Sequence, residues 1–179
     1  MIRITALTAL ALLTACTPSK SNDAENSSAN VATAPGPLLP LVIHTANAKH
    51  HLNVEVATTP ATQEKGLMFR KSLGPDTGML FPMDPPKIAS FWMKNTLIPL
   101  DMLFIRTDGS IAFIGANTEP HSRIPVSAGI PVAAVLELAG GRAAALGIRE
   151  GDRVNWGNCA VPGVRPDEAW DRVSFCPKG

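Results

Sequence analysis

The chain has 179 residues, 45% of them apolar and 17% charged, and a formal net charge of +1. Its Lys and Arg residues are scattered rather than gathered on one stretch, so the electrostatic footprint that nucleic acid requires is absent. Walker loops, dinucleotide fingerprints, GxSxG and HExxH are all missing, which leaves nucleotide cofactors and the common hydrolase motifs without support.

The first element is a leader. MIRITALTALALLTAC carries one positive charge, at Arg3, and an apolar run from Ile4 to Ala15 that is too short to be a permanent membrane span. It closes on Leu13-Thr14-Ala15-Cys16, which resembles the lipobox of bacterial lipoproteins, in which small residues fit the peptidase and the cysteine thiol takes up diacylglycerol. Residues 1–15 are therefore expected to be a signal peptide. Cys16 is expected to be lipidated, holding the chain at a membrane surface without a spanning segment. Thr17 stands where an Asp would favour inner-membrane retention, which points to the periplasmic side of the outer membrane in a bacterial envelope. From Cys16 to Pro40 the chain is rich in Ser, Asn, Ala, Thr and Pro with no apolar period, the composition of a disordered tether.

Residues 41–157 suit one domain with one core. Leu41–Thr45 and Leu52–Thr58 read as strands, the second alternating Leu52, Val54 and Val56 with more polar neighbours. Thr59 is an N-cap candidate ahead of Pro60 and predicts a short helix through the following residues. Residues 71–87, punctuated by Gly74-Pro75-Asp76 and Asp84-Pro85-Pro86, read as loop.

In FWMKNTLIPLDMLFI (91–105) the most apolar passage of the chain carries Lys94, Asn95 and Asp101. An antiparallel hairpin of Ser90–Asn95 with Leu100–Arg106 would set Lys94 opposite Asp101 and Trp92 opposite Leu103. Asp108-Gly109 then predicts a two-residue type I′ turn placing Phe113 opposite Phe104 and Ile114 opposite Leu103. One face of this meander would hold Trp92, Leu103, Ile105, Ala112 and Ile114; the other, Phe91, Met93, Met102, Phe104 and Phe113. Ala133–Leu138 is a further strand, RAAALG a short helix stopped by Gly147, and Arg153–Trp156 a last strand. The expected fold is mainly β (α+β): a compact antiparallel meander or small partly closed barrel with one or two short helices. Residues 158–179 form an extension in which Cys159 and Cys176, an even pair in an exported chain, are expected to be disulfide-bonded.

GLMFR (66–70), GMLF (78–81), FWMKNTLIPLD (91–101), VLEL (135–138) and GDRV (151–154), in that order, resemble the family called domain of unknown function 192. The resemblance covers residues 52 to 154 and implies a small β-rich domain, often exported, with no activity to carry over. The extension beyond residue 154 lies outside it.

The candidate site is the end of the 92–101 hairpin. Lys94 would supply a cation, Asn95 an amide, Thr96 a hydroxyl and Trp92 an aromatic wall, a grip for a small anionic or sugar ligand or for an envelope protein. Three readings stand beside one another: ligand or partner binding, an envelope polysaccharide- or peptide-modifying enzyme using Asp101 and Lys94, and a purely structural accessory in which the pair satisfies opposite charges. No catalytic residue, cofactor or metal is assigned. Met68, Met79, Met83, Met93 and Met102 are read as core fillers rather than Cu(I) ligands, and His50, His51 and His121 as solvated rather than zinc-binding.

Overall fold

The computed structural model describes residues 38–160. The leader, Cys16, most of the tether and Cys176 lie outside them, and with Cys176 lies the disulfide expected between it and Cys159.

Seven strands form one sheet: β1 (Leu39–His44), β2 (Lys49–Val56), β3 (Thr77–Ile88), β4 (Leu100–Ile105), β5 (Ile111–Thr118), β6 (Pro131–Ala139) and β7 (Arg153–Trp156). Their spatial order is β5-β4-β6-β3-β2-β1-β7. All neighbours are antiparallel except β2 and β3, which run parallel through Asn53↔Thr77 to Val56↔Leu80. That one parallel pair needs a crossover, and the crossover contains the helix α1 (Pro60–Lys65). A second short helix, α2 (Arg142–Ala145), follows β6. At one end a bridge between Ser110 and Arg153 brings the two outer strands together, while the strand order itself stays open. The fold is mainly β with two short helices, as the alternating patterns imply.

The sheet is buried on both faces. Leu41, Ile43, Leu52, Leu103 and Leu136 belong to one apolar cluster; Phe81, Met93, Met102, Phe104 and Val135 belong to the other. Residues adjacent in sequence, such as Leu103 and Phe104, thus serve different cores, because successive side chains of a strand point to opposite faces. The face assignments for Leu103, Ile105, Ile114, Phe91, Met93, Met102, Phe104 and Phe113 are the ones observed.

Several local readings are corrected. The 90–95 segment is not a strand paired with β4. Both edges of β4 are occupied, by β5 and by β6, and Asp101 lies opposite Leu138. Phe91 instead bridges Val126, and the Met93 amide donates to the Ser122 carbonyl at 2.9 Å, so the segment lies as a cover on the second core. Trp92, assigned to the Leu103 face, is 47% exposed.

Most of the stretch 71–87 read as loop instead belongs to β3 (Thr77–Ile88), the longest strand among the described residues. Pairing with β6 is regular up to Pro82↔Ala134, resumes at Lys87↔Val132, and shifts register between them, so the Asp84-Pro85-Pro86 stretch sits in the irregularity. The 107–109 turn also differs. The Gly109 amide donates to the Arg106 carbonyl and the Arg106 amide to the Ser110 carbonyl, with only Gly109 at positive φ. That is a three-residue turn ending in a left-handed glycine. A bulge between Phe104 and Ile105 then restores the expected pairs Phe104↔Phe113 and Leu103↔Ile114.

Candidate functional site

A cavity of about 450 Å3 opens on the second-core side of the sheet. Its wall begins at α1. Thr59 caps the helix through a reciprocal pair, its hydroxyl accepting from the Thr62 amide at 3.2 Å and its own amide donating to the Thr62 hydroxyl at 2.9 Å. The Gln63 side-chain amide donates to the carbonyls of Ala57 and Pro82, fastening the helix to β2 and β3. Gly66, at φ 47°, turns the chain so that Leu67 is buried while Met68 reaches the cavity.

The opposite wall is the cover segment, with Phe91, Trp92 and Thr96. The two walls are joined by a 2.9 Å bond from the Phe69 amide to the Asn95 carbonyl, and both residues are left-handed, at φ 64° and 57°. Left-handed backbone is uncommon for an aromatic residue and persists only where its surroundings hold it. The next residue, Arg70, is anchored to β2, its guanidinium making a bidentate pair with Glu55 at 2.5 and 2.6 Å. That pair raises the Arg70 pKa.

The buried end contains Thr96, Phe81, Met83 and Glu137; Glu64, Lys65, Lys87 and Ile88 are exposed and lie at the mouth with Trp92. Glu137 is the chemically distinctive member. It lies on the central strand β6 between Met79 of β3 and Met102 of β4, and it is 4% exposed. Its Oε2 is buried without a hydrogen-bond partner. Burial pushes its carboxyl up to about 8, so at neutral pH it is mainly the uncharged acid, both donor and acceptor.

The residues singled out from the sequence divide. Trp92 and Thr96 line the cavity. Lys94 lies behind Trp92, its Nζ 5.1 Å from the ring centroid, a cation–π contact. Asn95 closes the walls and extends its Nδ2 toward the Met68 sulfur at 3.9 Å. Asp101 is elsewhere: fully buried, it accepts from the amides of Asn117, Gly141 and Ala143 at 2.7, 3.0 and 2.7 Å. Those donors belong to the end of β5 and the start of α2, so the carboxylate gathers loose backbone ends. Among the described residues no ion pair joins Lys94 to Asp101. The charged pair expected across a hairpin is replaced by two unrelated roles, because β4 pairs with β6 where the cover segment was expected.

Glu137 was not singled out by sequence reasoning. Its signal was present: VLEL places one acid inside a strand that the apolar pattern buries. His50, read as solvated, has a buried Nε2 without a partner. A second hollow of about 460 Å3 lies beside His44 and Asn155, whose Nε2 and Nδ2 are 3.4 Å apart. Among the described residues, no group of three or more His, Cys, Asp or Glu is arranged to hold a metal ion.

The comparisons agree with this geometry at the level of family and fold. A crystal structure of a protein of unknown function from Novosphingobium aromaticivorans DSM 12444 is 45% identical, with a TM-score of 0.65, over 66% of this chain and 85% of that one. A proposed transcription regulator from Sinorhizobium meliloti 1021 is 43% identical, with a TM-score of 0.65, over 66% of this chain and 93% of that one. No curated protein matches. The model of domain of unknown function 192 (DUF192, "Uncharacterized ACR") matches residues 42–156, a span that contains every wall of the cavity. The chain belongs to the DUF192 family.

Proposed function

We propose that the domain binds a small ligand in the Glu137 cavity. The observation that carries this reading is the buried Glu137 carboxyl, its Oε2 without a partner, in a hollow that combines an apolar and aromatic wall of Leu67, Phe81, Met83, Phe91 and Trp92 with polar residues. A polar group stripped of water and left without a partner costs about 1–3 kcal/mol, a cost that a ligand supplying the missing hydrogen bond would offset. The cavity volume lies in the range of small-molecule sites, roughly 300–1,000 Å3. Four of the segments that carry the family resemblance, 66–70, 78–81, 91–101 and 135–138, all contribute lining residues. A small anionic or hydroxylated ligand suits an uncharged acid inside and lysines at the mouth. The enzymatic alternative built on Asp101 and Lys94 loses its acid, since three backbone amides engage that carboxylate.

The domain is proposed to act on the periplasmic side of the bacterial outer membrane, anchored through lipid on Cys16 and given reach by a tether that ends before β1, two residues short of the expected Pro40. A Cys159–Cys176 disulfide would fasten the extension to the end of β7. Mass spectrometry of the protein from its own host tests the anchor: a diacylglyceryl adduct on an N-terminal Cys16 is expected, and an unmodified residue there removes it. Ligand retained through purification and lost in a Trp92→Ala variant tests the cavity; retention undiminished by that change rejects it.

A further inference from the structure

Resting on that cavity reading, we infer that the ligand is a small organic acid, its carboxylate hydrogen-bonded to the Glu137 carboxyl and its apolar body against Leu67, Met83, Phe91 and Trp92.

The charged groups lining the cavity are Glu64 and Lys65 from α1 and its end, Lys87 from β3, and Glu137 from β6. With Glu137 uncharged the remaining three sum to one positive charge, two lysines against one glutamate. An ammonium ligand would pass both lysines and could pair with Glu137 only after displacing its proton. A sugar would need several hydrogen-bonding groups around it. Of the polar lining residues only Thr96 and Glu137 are buried; the Thr96 hydroxyl already points at the Lys94 carbonyl, 3.4 Å away, the Gln63 amide is committed to the Ala57 and Pro82 carbonyls, and Ser90 is exposed.

A carboxylate meets neither obstacle. The lysines favour its approach, and a carboxylic acid facing a carboxylate makes a short, charge-assisted O–H···O bond. The walls then take an aliphatic or aromatic body, with Trp92 as the stacking surface at the mouth. A free organic acid fits better than the C-terminal carboxylate of a protein, because the carboxyl that would receive it is buried at the inner end of the hollow.

The test is titration calorimetry of the full chain with carboxylates from propionate and hexanoate to benzoate and indole-3-acetate, beside benzylamine and methyl glucoside. At least one carboxylate is expected to bind, with affinity falling about tenfold from pH 7 to pH 9 as Glu137, titrating at about 8, loses the proton it donates. Glu137→Gln retains a neutral donor, so it should bind within a few-fold of wild type at pH 7 and show no such fall. Carboxylate binding equal at both pH values, or a fall that persists in Glu137→Gln, overturns the inference. So does binding of benzylamine or methyl glucoside in place of the acids, although that outcome, if weakened by Trp92→Ala, leaves the cavity reading standing. Binding of none of the three classes removes both.

Discussion

At the scale of single residues, two buried acids meet opposite fates. Asp101 is surrounded by three amide donors, whereas the Oε2 of Glu137 is buried without a hydrogen-bond partner and burial favours its protonated form. The consequence for Glu137 is a definite slope of stability with pH. Its folded value, about 8, lies above the ordinary 4.5, so between those limits the folded state binds more protons than the unfolded one. Stability is therefore fully present below 4.5, declines by about 1.4 kcal/mol per pH unit as pH rises toward 8, and levels off beyond. Urea unfolding at pH 5, 6.5 and 8 should show wild type losing stability relative to Glu137→Gln at each step. Parallel curves for the two proteins would mean that Glu137 ionises as an ordinary acid. Asp101 predicts something different: Asp101→Asn offers one acceptor oxygen to three amides and replaces charge-assisted bonds by neutral ones. It should cost about 2–4 kcal/mol in urea unfolding near neutral pH. A loss under about 0.5 kcal/mol would show that water satisfies those amides instead.

At the scale of elements, close approach in the sheet is set by the absence of a side chain at Gly78. A Cβ there would lie 2.5 Å from the Glu137 carbonyl oxygen and 2.9 Å from Leu138 Cδ2, beside the Met79↔Glu137 pair that begins the β3–β6 ladder and where Gly78 itself pairs with Val54 of β2. At Gly115 the nearest atom, 2.6 Å away, is Val126 Cγ1, the tip of a side chain on the loop between β5 and β6. Backbone within a central ladder cannot yield as a valine in a loop can. Gly78→Ala should therefore cost about 1–3 kcal/mol and exceed Gly115→Ala in the same unfolding assay; the reverse order would refute this account. The same elements show what the sequence carries and what it hides. Helix α1 is legible because Thr59 and Pro60 encode its start locally, β6 because its apolar run is broken only by Glu137, and β7 because Val154 and Trp156 alternate with Arg153 and Asn155. Strand β3 is not, since prolines that end most strands lie here where the ladder is already broken. The 90–95 segment shows the converse: apolar residues suited to a strand cover a sheet whose edges are filled elsewhere. Pairing partners belong to the whole chain, so Lys94 and Asp101 could not be placed from their spacing. Glu137 is recoverable only once β6 is known to be central, because that position makes its burial unavoidable.

For the described domain as a whole, the sheet divides the interior into two cores, and the cavity belongs to one of them. Leu41 is fully buried in the first, with no place in the cavity lining, while Phe91 belongs to the second and forms part of the wall. Phe91 also stands edge-on to Phe81 at 5.0 Å and to Phe104 at 6.1 Å, so it links the cover segment to the sheet. Since close-packed strands separate the two sets, a void on one side need not reshape the other. Leu41→Ala should cost about 2–5 kcal/mol of stability while leaving ligand affinity within about two-fold, measured where both proteins are folded. Phe91→Leu removes less volume and should cost less stability, yet it strips an aromatic wall and loosens the cover, so affinity should fall by about tenfold or more. The crossed pattern is the diagnostic one: a large stability loss without an affinity loss in one variant, and the reverse in the other. Equal losses of affinity would mean that both cores shape the cavity and that the sheet does not insulate them.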